Sequence, residues 1–316
     1  MPTSVLVIMD PIANIKIAKD SSFAMLLAAQ ARGWTLHYAE LNDLSLSDGI
    51  AQANSRTLSV CNDASNWFEF GNTEQKALTE FNVILMRKDP PFDMEYIYAT
   101  YLLDQAAEQG SIVVNHPRAL RNANEKLAAT RFPDLCPPHC VTRDADMLKH
   151  FIDTHGDVIL KPLDGMGGSS IFRLRADDPN RSVVIETLTQ HQTQFTMAQK
   201  FIPEITAGDN RVLVIDGEAV PYVLARIPSQ GETRGNLAAG GTGVPRKIND
   251  SERRIVNAVA PWLRENGILF AGLDVIGDYL TEINITSPTC IRELDKAFDL
   301  DIAGQLLDNI EQKLAV

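Results

Sequence analysis

The sequence predicts an open α/β layer followed by two α+β units. Three observations carry that reading. The first part alternates short apolar strands with helical stretches, as βαβ units do. The middle holds a strand, a glycine-rich loop and a second strand. The last third ends in a hairpin, Leu273–Asp278 and Thr281–Cys290, in which polar and apolar residues alternate.

Within the first layer, Ser4 to Met9 reads as a strand cut short by Asp10, and Asp20 to Arg32 as a helix with Gly33 as its stop. Trp34 to Glu40 is the next strand. The first loop, Asp10-Pro11-Ile12-Ala13-Asn14, has no glycine, which argues against a dinucleotide fingerprint. Strand Asn82–Met86, helix Tyr96–Gln109 and strand Ser111–Val114 complete a substrate-side domain over residues 1–122. Arg87 and Asp89 follow a strand's carboxyl end, where such sheets bind ligands, although a plain charged loop has the same composition. Residues 44–80 receive no assignment. Residues 118–131 read as one helix with Lys126 on its exposed side, and Phe132–Pro138 as a proline-rich joint.

The second unit spans residues 123–203. It contains helices near 144–155 and 182–190 and a strand Phe195–Phe201 that ends at Pro203. Between them, Asp157–Pro162 is an apolar strand ending in Lys161, followed by Leu163-Asp164-Gly165-Met166-Gly167-Gly168 and a strand at Ile171–Leu174. Glycines let successive backbone N–H groups converge on an anion, and a lysine adds a point charge for phosphate oxygens. Neither the Walker tetrad nor a helix-opening glycine fingerprint is present. By itself such a loop is equally a hairpin turn.

The third unit spans residues 204–316. Asn210–Asp216 and Ala219–Ile227 form a hairpin carrying Arg211 and Arg226. Residues 228–243 are glycine-rich and poor in apolar side chains, so they read as a long mobile lid. A helix at Ser251–Asn266 and a terminal helix from Ile302 flank the last hairpin. There Asp274 lies among apolar neighbours, and Glu282 and Asn284 lie two apart on one face. Hard oxygen ligands of this kind suit Mg²⁺. A solvated sheet edge would carry acidic residues too.

The chain has 316 residues and a net charge of −12, too long for one small core. The acidic balance argues against non-specific nucleic-acid or anionic-membrane binding. Cys61, Cys136, Cys140 and Cys290 form no Cys-x-x-Cys pair, so free thiols in a reducing compartment are expected. The N-terminal strand lacks the basic start and long apolar core of a signal peptide, and no run reaches transmembrane length. A soluble cytoplasmic protein is the expectation.

In chain order these parts resemble the ATP-grasp superfamily and, more closely, the bacterial glutathione synthetases. The strings that carry the resemblance are Met9–Ile15, Ile84–Asp93, Leu160–Gly168, Gly231–Gly241 and Leu280–Asn284. The resemblance implies an ATP-grasp fold behind an N-terminal open α/β (pre-ATP-grasp) domain. It implies ligation of γ-glutamylcysteine to glycine through an acyl phosphate, with ADP and phosphate released. ATP would be co-substrate and Mg²⁺ (or Mn²⁺) the metal. Lys126, Lys161 and the loop Gly165, Gly167 and Gly168 would hold phosphates. The backbone of Gln199, Lys200, Phe201 and Ile202 would hold adenine, and Asp209 the ribose. Asp274, Glu282 and Asn284 would bind metal. Arg211 and Arg226 would neutralise charge during catalysis, and Arg87 and Ser287 would hold substrate carboxylates. A homo-oligomer, a tetramer by resemblance, is implied, with no nucleic-acid or membrane partner. Another ATP-grasp carboxylate–amine ligase, using a different acid and amine, is the alternative.

Overall fold

The computed structural model describes residues 2–315 and contains three sheets. In the first, strand Ser4–Ile8 lies between Thr35–Ala39 and Val83–Met86, parallel to both. Val5 to Ile8 are fully buried, as befits a parallel strand covered on both faces. Helices Ser21–Ala31 and Met94–Glu108 start where Asp20 and Asp93 accept hydrogen bonds from the backbone N–H groups of Phe23 and Tyr96.

Residues 44–80, unassigned from sequence, form strands Leu44–Ser47, Ile50–Val60 and Phe68–Ala77, all antiparallel. They extend the parallel sheet at one edge through Leu36 opposite Leu58. Their alternation is hidden because several inward residues, Ala51, Ala53 and Ser55, are small.

The expected single helix over 118–131 is two short helices, Pro117–Asn122 and Glu125–Ala129. Asn124 restarts the helix by accepting from the N–H groups of Lys126 and Leu127. The restart turns Lys126 inward: it is 3% exposed, against the expectation of an exposed side chain.

The middle sheet is antiparallel, in the order Phe172–Arg175, Asp157–Pro162, Thr196–Lys200, His139–Thr142. Helices Ala145–His155 and Arg181–Thr189 supply Leu148, Ile152, Ile185 and Leu188 to a core of its own with Val158, Leu160 and Leu174. The third sheet, also antiparallel, runs Thr242–Lys247, Glu218–Ile227, Asp209–Ile215, Phe270–Ile276, Tyr279–Asn284. Helix Asp250–Glu265 packs behind it, opened by a reciprocal cap between Asn249 and Glu252. A short helix at Ile291–Phe298, unforeseen from sequence, precedes the terminal helix Ile302–Leu314.

The first and third sheets share their cores. Leu6, Ile8 and Ile84 of one pack in the same cluster as Val212, Leu273 and Ile283 of the other. Asn115 stitches them together. Its Nδ2 donates to the carbonyls of Phe270 at 2.7 Å and Ile285 at 2.6 Å, and its Oδ1 accepts from Leu269 and Phe270 N–H.

Candidate active site

A cleft opens where the middle sheet faces the third sheet. Strand alternation selects its floor. Asp209 and Arg211 lie two apart on one strand, Asp274 lies opposite Arg211, and Glu282 lies opposite Asp274. Arg226 lies opposite Asp209, so all five share a face. Asn284 stands across from Gly272, and a Cβ on that glycine would come within 2.8 Å of Arg211 Cδ. The empty position gives the arginine its room.

The floor is an alternating chain of buried charges. Arg211 Nε donates to Asp274 Oδ1 at 2.6 Å. Arg226 Nη2 reaches Asp274 Oδ2 at 2.9 Å and Asp209 Oδ2 at 2.5 Å. Asn284 Nδ2 donates to Asp274 Oδ2 and to the Gly272 carbonyl, each at 3.2 Å, which leaves its Oδ1 as an acceptor. Burial opposes ionisation of Asp274, but the two guanidinium groups outweigh it and hold its carboxyl at about 2. At Asp209 burial prevails over Arg226, and Asp274 adds repulsion, so its carboxyl is pushed up to about 6. Asp209 Oδ1 is buried without a hydrogen-bond partner.

Two lysines enter from the other side and meet one carboxylate oxygen. Lys161 Nζ lies 3.4 Å and Lys126 Nζ 3.6 Å from Glu282 Oε1. Burial works against ionising Glu282, yet the lysines together keep its carboxyl below the usual range. Lys126 also donates to Glu125 and, at 2.8 Å, to the carbonyl of Gly165. Glu125 lines the cleft and went unnoticed in the sequence, where its neighbour Lys126 read as exposed. Burial and the nearby Glu282 push its carboxyl upward.

Above the charges, the glycine loop joins two neighbouring antiparallel strands, as the sequence implied. Gly167 and Gly168 adopt positive φ. A Cβ on Gly168 would approach Asn236 Oδ1 to 2.7 Å, and Arg234 Nη1 donates to the Gly168 carbonyl at 3.0 Å. Arg234, Asn236 and Ala238 of the segment 228–241 therefore lie against the glycine loop. The expected loop is shorter at its end: Thr242 and Gly243 belong to strand Thr242–Lys247, paired with Glu218–Ile227.

The strand before Phe201 gives the cleft its edge, with Gln199, Lys200, Phe201 and Ile202 lining it. Phe201 N–H donates to Asp157 and Lys200 N–H to Pro138, at 3.0 and 2.8 Å. Pro138 has no N–H to return, so the Lys200 carbonyl lacks the reciprocal ladder donor. Ser287 lines the cleft, whereas Arg87 does not. Arg87 is buried, donating from Nε to Ser22 Oγ and from Nη2 to the Pro288 carbonyl, both at 2.9 Å. Among the described residues, no group of three His, Cys, Asp or Glu side chains is arranged to hold a metal. The expected set has only two carboxylates, completed by the amide of Asn284.

Two family models match the chain: the prokaryotic glutathione synthetase N-terminal domain over residues 3–121 and its ATP-grasp domain over 125–299. A glutathione synthetase of Shewanella oneidensis is 60% identical over 308 residues, covering 98% of each chain. One of Pseudomonas aeruginosa is 60% identical over 309 residues, again 98% of each. One of Vibrio vulnificus is 58% identical over 98% of this chain and 97% of its own. Among solved structures, the D-cycloserine synthetase DcsG superposes with a TM-score of 0.68 at 12% identity, covering 98% of this chain and 99% of the other. The ATP-grasp ligase PsnB, complexed with a precursor peptide and AMPPNP, gives 0.63 at 18% identity over 99% of each. These two likenesses establish the fold, and the near-full-length matches establish the rest: the chain belongs to the prokaryotic glutathione synthetases, ATP-dependent ligases built on the ATP-grasp fold.

Proposed function

We infer that this cleft activates the carboxylate of γ-glutamylcysteine with the terminal phosphoryl group of ATP and then admits the amine of glycine. The observation that carries the reading is the meeting of Lys126 and Lys161 from one side with Asp274 and Glu282 from the other, beneath a glycine loop. A carboxylate is a poor electrophile; as an acyl phosphate it has a good leaving group. Positive charge must accompany the phosphoryl group through transfer and must then stabilise the oxyanion formed by amine attack. Arg211 and Arg226 supply fixed charge on the floor. Lys161 and Lys126 supply it beneath the glycine loop.

A metal fits the donor chemistry. Asp274 and Glu282 are ionised, Asn284 keeps an oxygen free, and all are hard ligands. Asp274, Glu282 and Asn284 would hold Mg²⁺ (or Mn²⁺), which when bound neutralises phosphate charge and orients the oxygens. Adenine is supported at the Lys200 carbonyl, left open by Pro138 and suited to a purine amino group. The orphaned Asp209 Oδ1 suits a ribose hydroxyl. Ser287 faces substrate. Arg87 supports that end indirectly by fixing Pro288. Residues 228–241 would exclude water from the acyl phosphate.

The three sheets support a division at 1–122, 123–203 and 204–316. Four free cysteines suit a reducing cytoplasm, and no helix of the described residues is long and apolar enough to cross a membrane. A homo-oligomer is part of the same reading, checked by light scattering. The functional test is ADP release with γ-glutamylcysteine, with and without glycine. Turnover should require both. ADP release indifferent to the dipeptide would sink the substrate assignment.

A further inference from the structure

The carboxylates that would bind metal are already spoken for. Both oxygens of Asp274 hold guanidinium groups, and Glu282 Oε1 holds two ammonium groups. All four cations are at least nine-tenths buried. A bare divalent cation arriving here would have to displace them without anywhere for their charge to go. Nucleotide phosphates change that balance, because they offer the lysines new partners.

The two lysines differ in how firmly they are held. Lys126 is tethered by Glu125 and by the Gly165 carbonyl as well as by Glu282. The ion pair of Lys161 among the described residues is with Glu282 alone, at 3.4 Å. A lysine stem is flexible and its ammonium is a compact point charge, so Lys161 is the one built to transfer.

The geometry points to Lys161 as a placeholder for the metal: without nucleotide it holds Glu282, and it yields that carboxylate only when phosphates draw it away, so that metal and nucleotide enter together. The inference rests on reading Asp274, Glu282 and Asn284 as metal ligands. It goes beyond that reading by making the affinity for metal depend on a residue that never touches it.

The test measures Mn²⁺ binding by electron paramagnetic resonance, with and without a non-hydrolysable ATP analogue. Wild type should retain Mn²⁺ only in the presence of the analogue. Lys161→Met should bind Mn²⁺ without nucleotide on the order of tenfold or more tightly than wild type, since a buried cation beside the ligand is gone. Mn²⁺ alone should then raise the melting temperature of that variant. Lys161→Arg keeps the charge and should behave as wild type. Adding Glu282→Gln to Lys161→Met should remove the gained site. A folded Lys161→Met that binds the analogue yet gains no metal affinity overturns the proposal alone, as does wild type binding Mn²⁺ equally well with and without analogue. Failure of the analogue to bind wild type would overturn the nucleotide reading itself, and the proposal with it.

Discussion

The seam between the first and third sheets and the cleft between the middle and third sheets are built on opposite principles. The seam is largely apolar and continuous: strands of both sheets share a core, and Asn115 closes a polar junction between them with its donors and its acceptor used. The cleft is discontinuous and has a charged floor. The middle sheet keeps a separate core, and its Lys161, joined by Lys126 of the helix Glu125–Ala129, pairs with Glu282 of the third sheet. Apolar contact fixes geometry, since any separation exposes surface to water. Paired charges can exchange partners at little cost, because a ligand can offer equivalent ones. One interface is made to stay closed and the other to be opened and refilled.

The largest effect should come from the cleft. Glu282→Ala removes the carboxylate on which both lysines converge. Turnover should fall by about a hundredfold or more, roughly 2–4 kcal/mol of lost stabilisation. The melting temperature should fall as well, because Lys161 loses its ion pair in a buried place, a loss of about 3–5 kcal/mol. Steady-state ADP release beside a thermal melt decides it. Near-wild-type turnover at saturating Mg²⁺ would remove Glu282 from the machinery.

Asn115→Ala tests the seam. It strands the N–H groups of Leu269 and Phe270 and the carbonyls of Phe270 and Ile285 in a buried place. A stability loss of about 2–3 kcal/mol is expected, read as a lower denaturation midpoint. Nucleotide binding by the folded fraction should persist. An unchanged midpoint would mean that apolar packing alone holds the seam.

How much of this contrast was legible in the sequence depends on range. Period-two alternation put Glu282 and Asn284 on one face, and the strand–glycine–strand order placed Lys161 beneath a loop; both are local signals. What escaped is set by tertiary neighbours. Lys126 looked exposed because the helix restart at Asn124 cannot be told from an ordinary helical asparagine. With it went Glu125, its partner. The sharing of Asp274 by two arginines depends on strand register across the third sheet. Gly272 did leave a signal, a glycine inside an apolar strand, which marks close approach of another group. The hairpin strands in 44–80 were obscured by small inward residues that lack the apolar signature.

Asp209 offers a pH-dependent view of the cleft. Its carboxyl is raised from 3.8 to about 6, chiefly by burial. The folded protein therefore holds a proton there that the unfolded chain has already lost. The resulting stability is fully present below the unfolded value of 3.8 and is lost as pH rises through about 6. Asp209→Asn cannot ionise. Relative to wild type, the variant should gain on the order of 1–3 kcal/mol between the two ends of that window. Denaturant titrations of both proteins at several pH values supply the difference, and other titrating groups cancel from it. A constant difference would show that Arg226 fully offsets burial and leaves the carboxyl at its unfolded value.

The smallest effect belongs to Pro138, which touches the cleft only through an absence. Lys200 N–H donates to its carbonyl, and proline has no hydrogen to send back. Pro138→Ala supplies that hydrogen and lets the ladder close on the Lys200 carbonyl. If that carbonyl receives the amino group of adenine, the new donor competes with the nucleotide. ATP binding should weaken by several-fold, about the 1 kcal/mol of one net hydrogen bond. The loss should be smaller for a nucleotide whose base lacks an amino group at that position. Folding should hold or improve slightly, because a strand pair gains a bond. Calorimetric titration with ATP and inosine triphosphate separates the cases. An equal loss for both would assign the effect to a shifted strand end, and no loss at all would place the base elsewhere along the cleft. The seam has no counterpart to this variant: there, adding a donor could only crowd a junction whose partners are already complete.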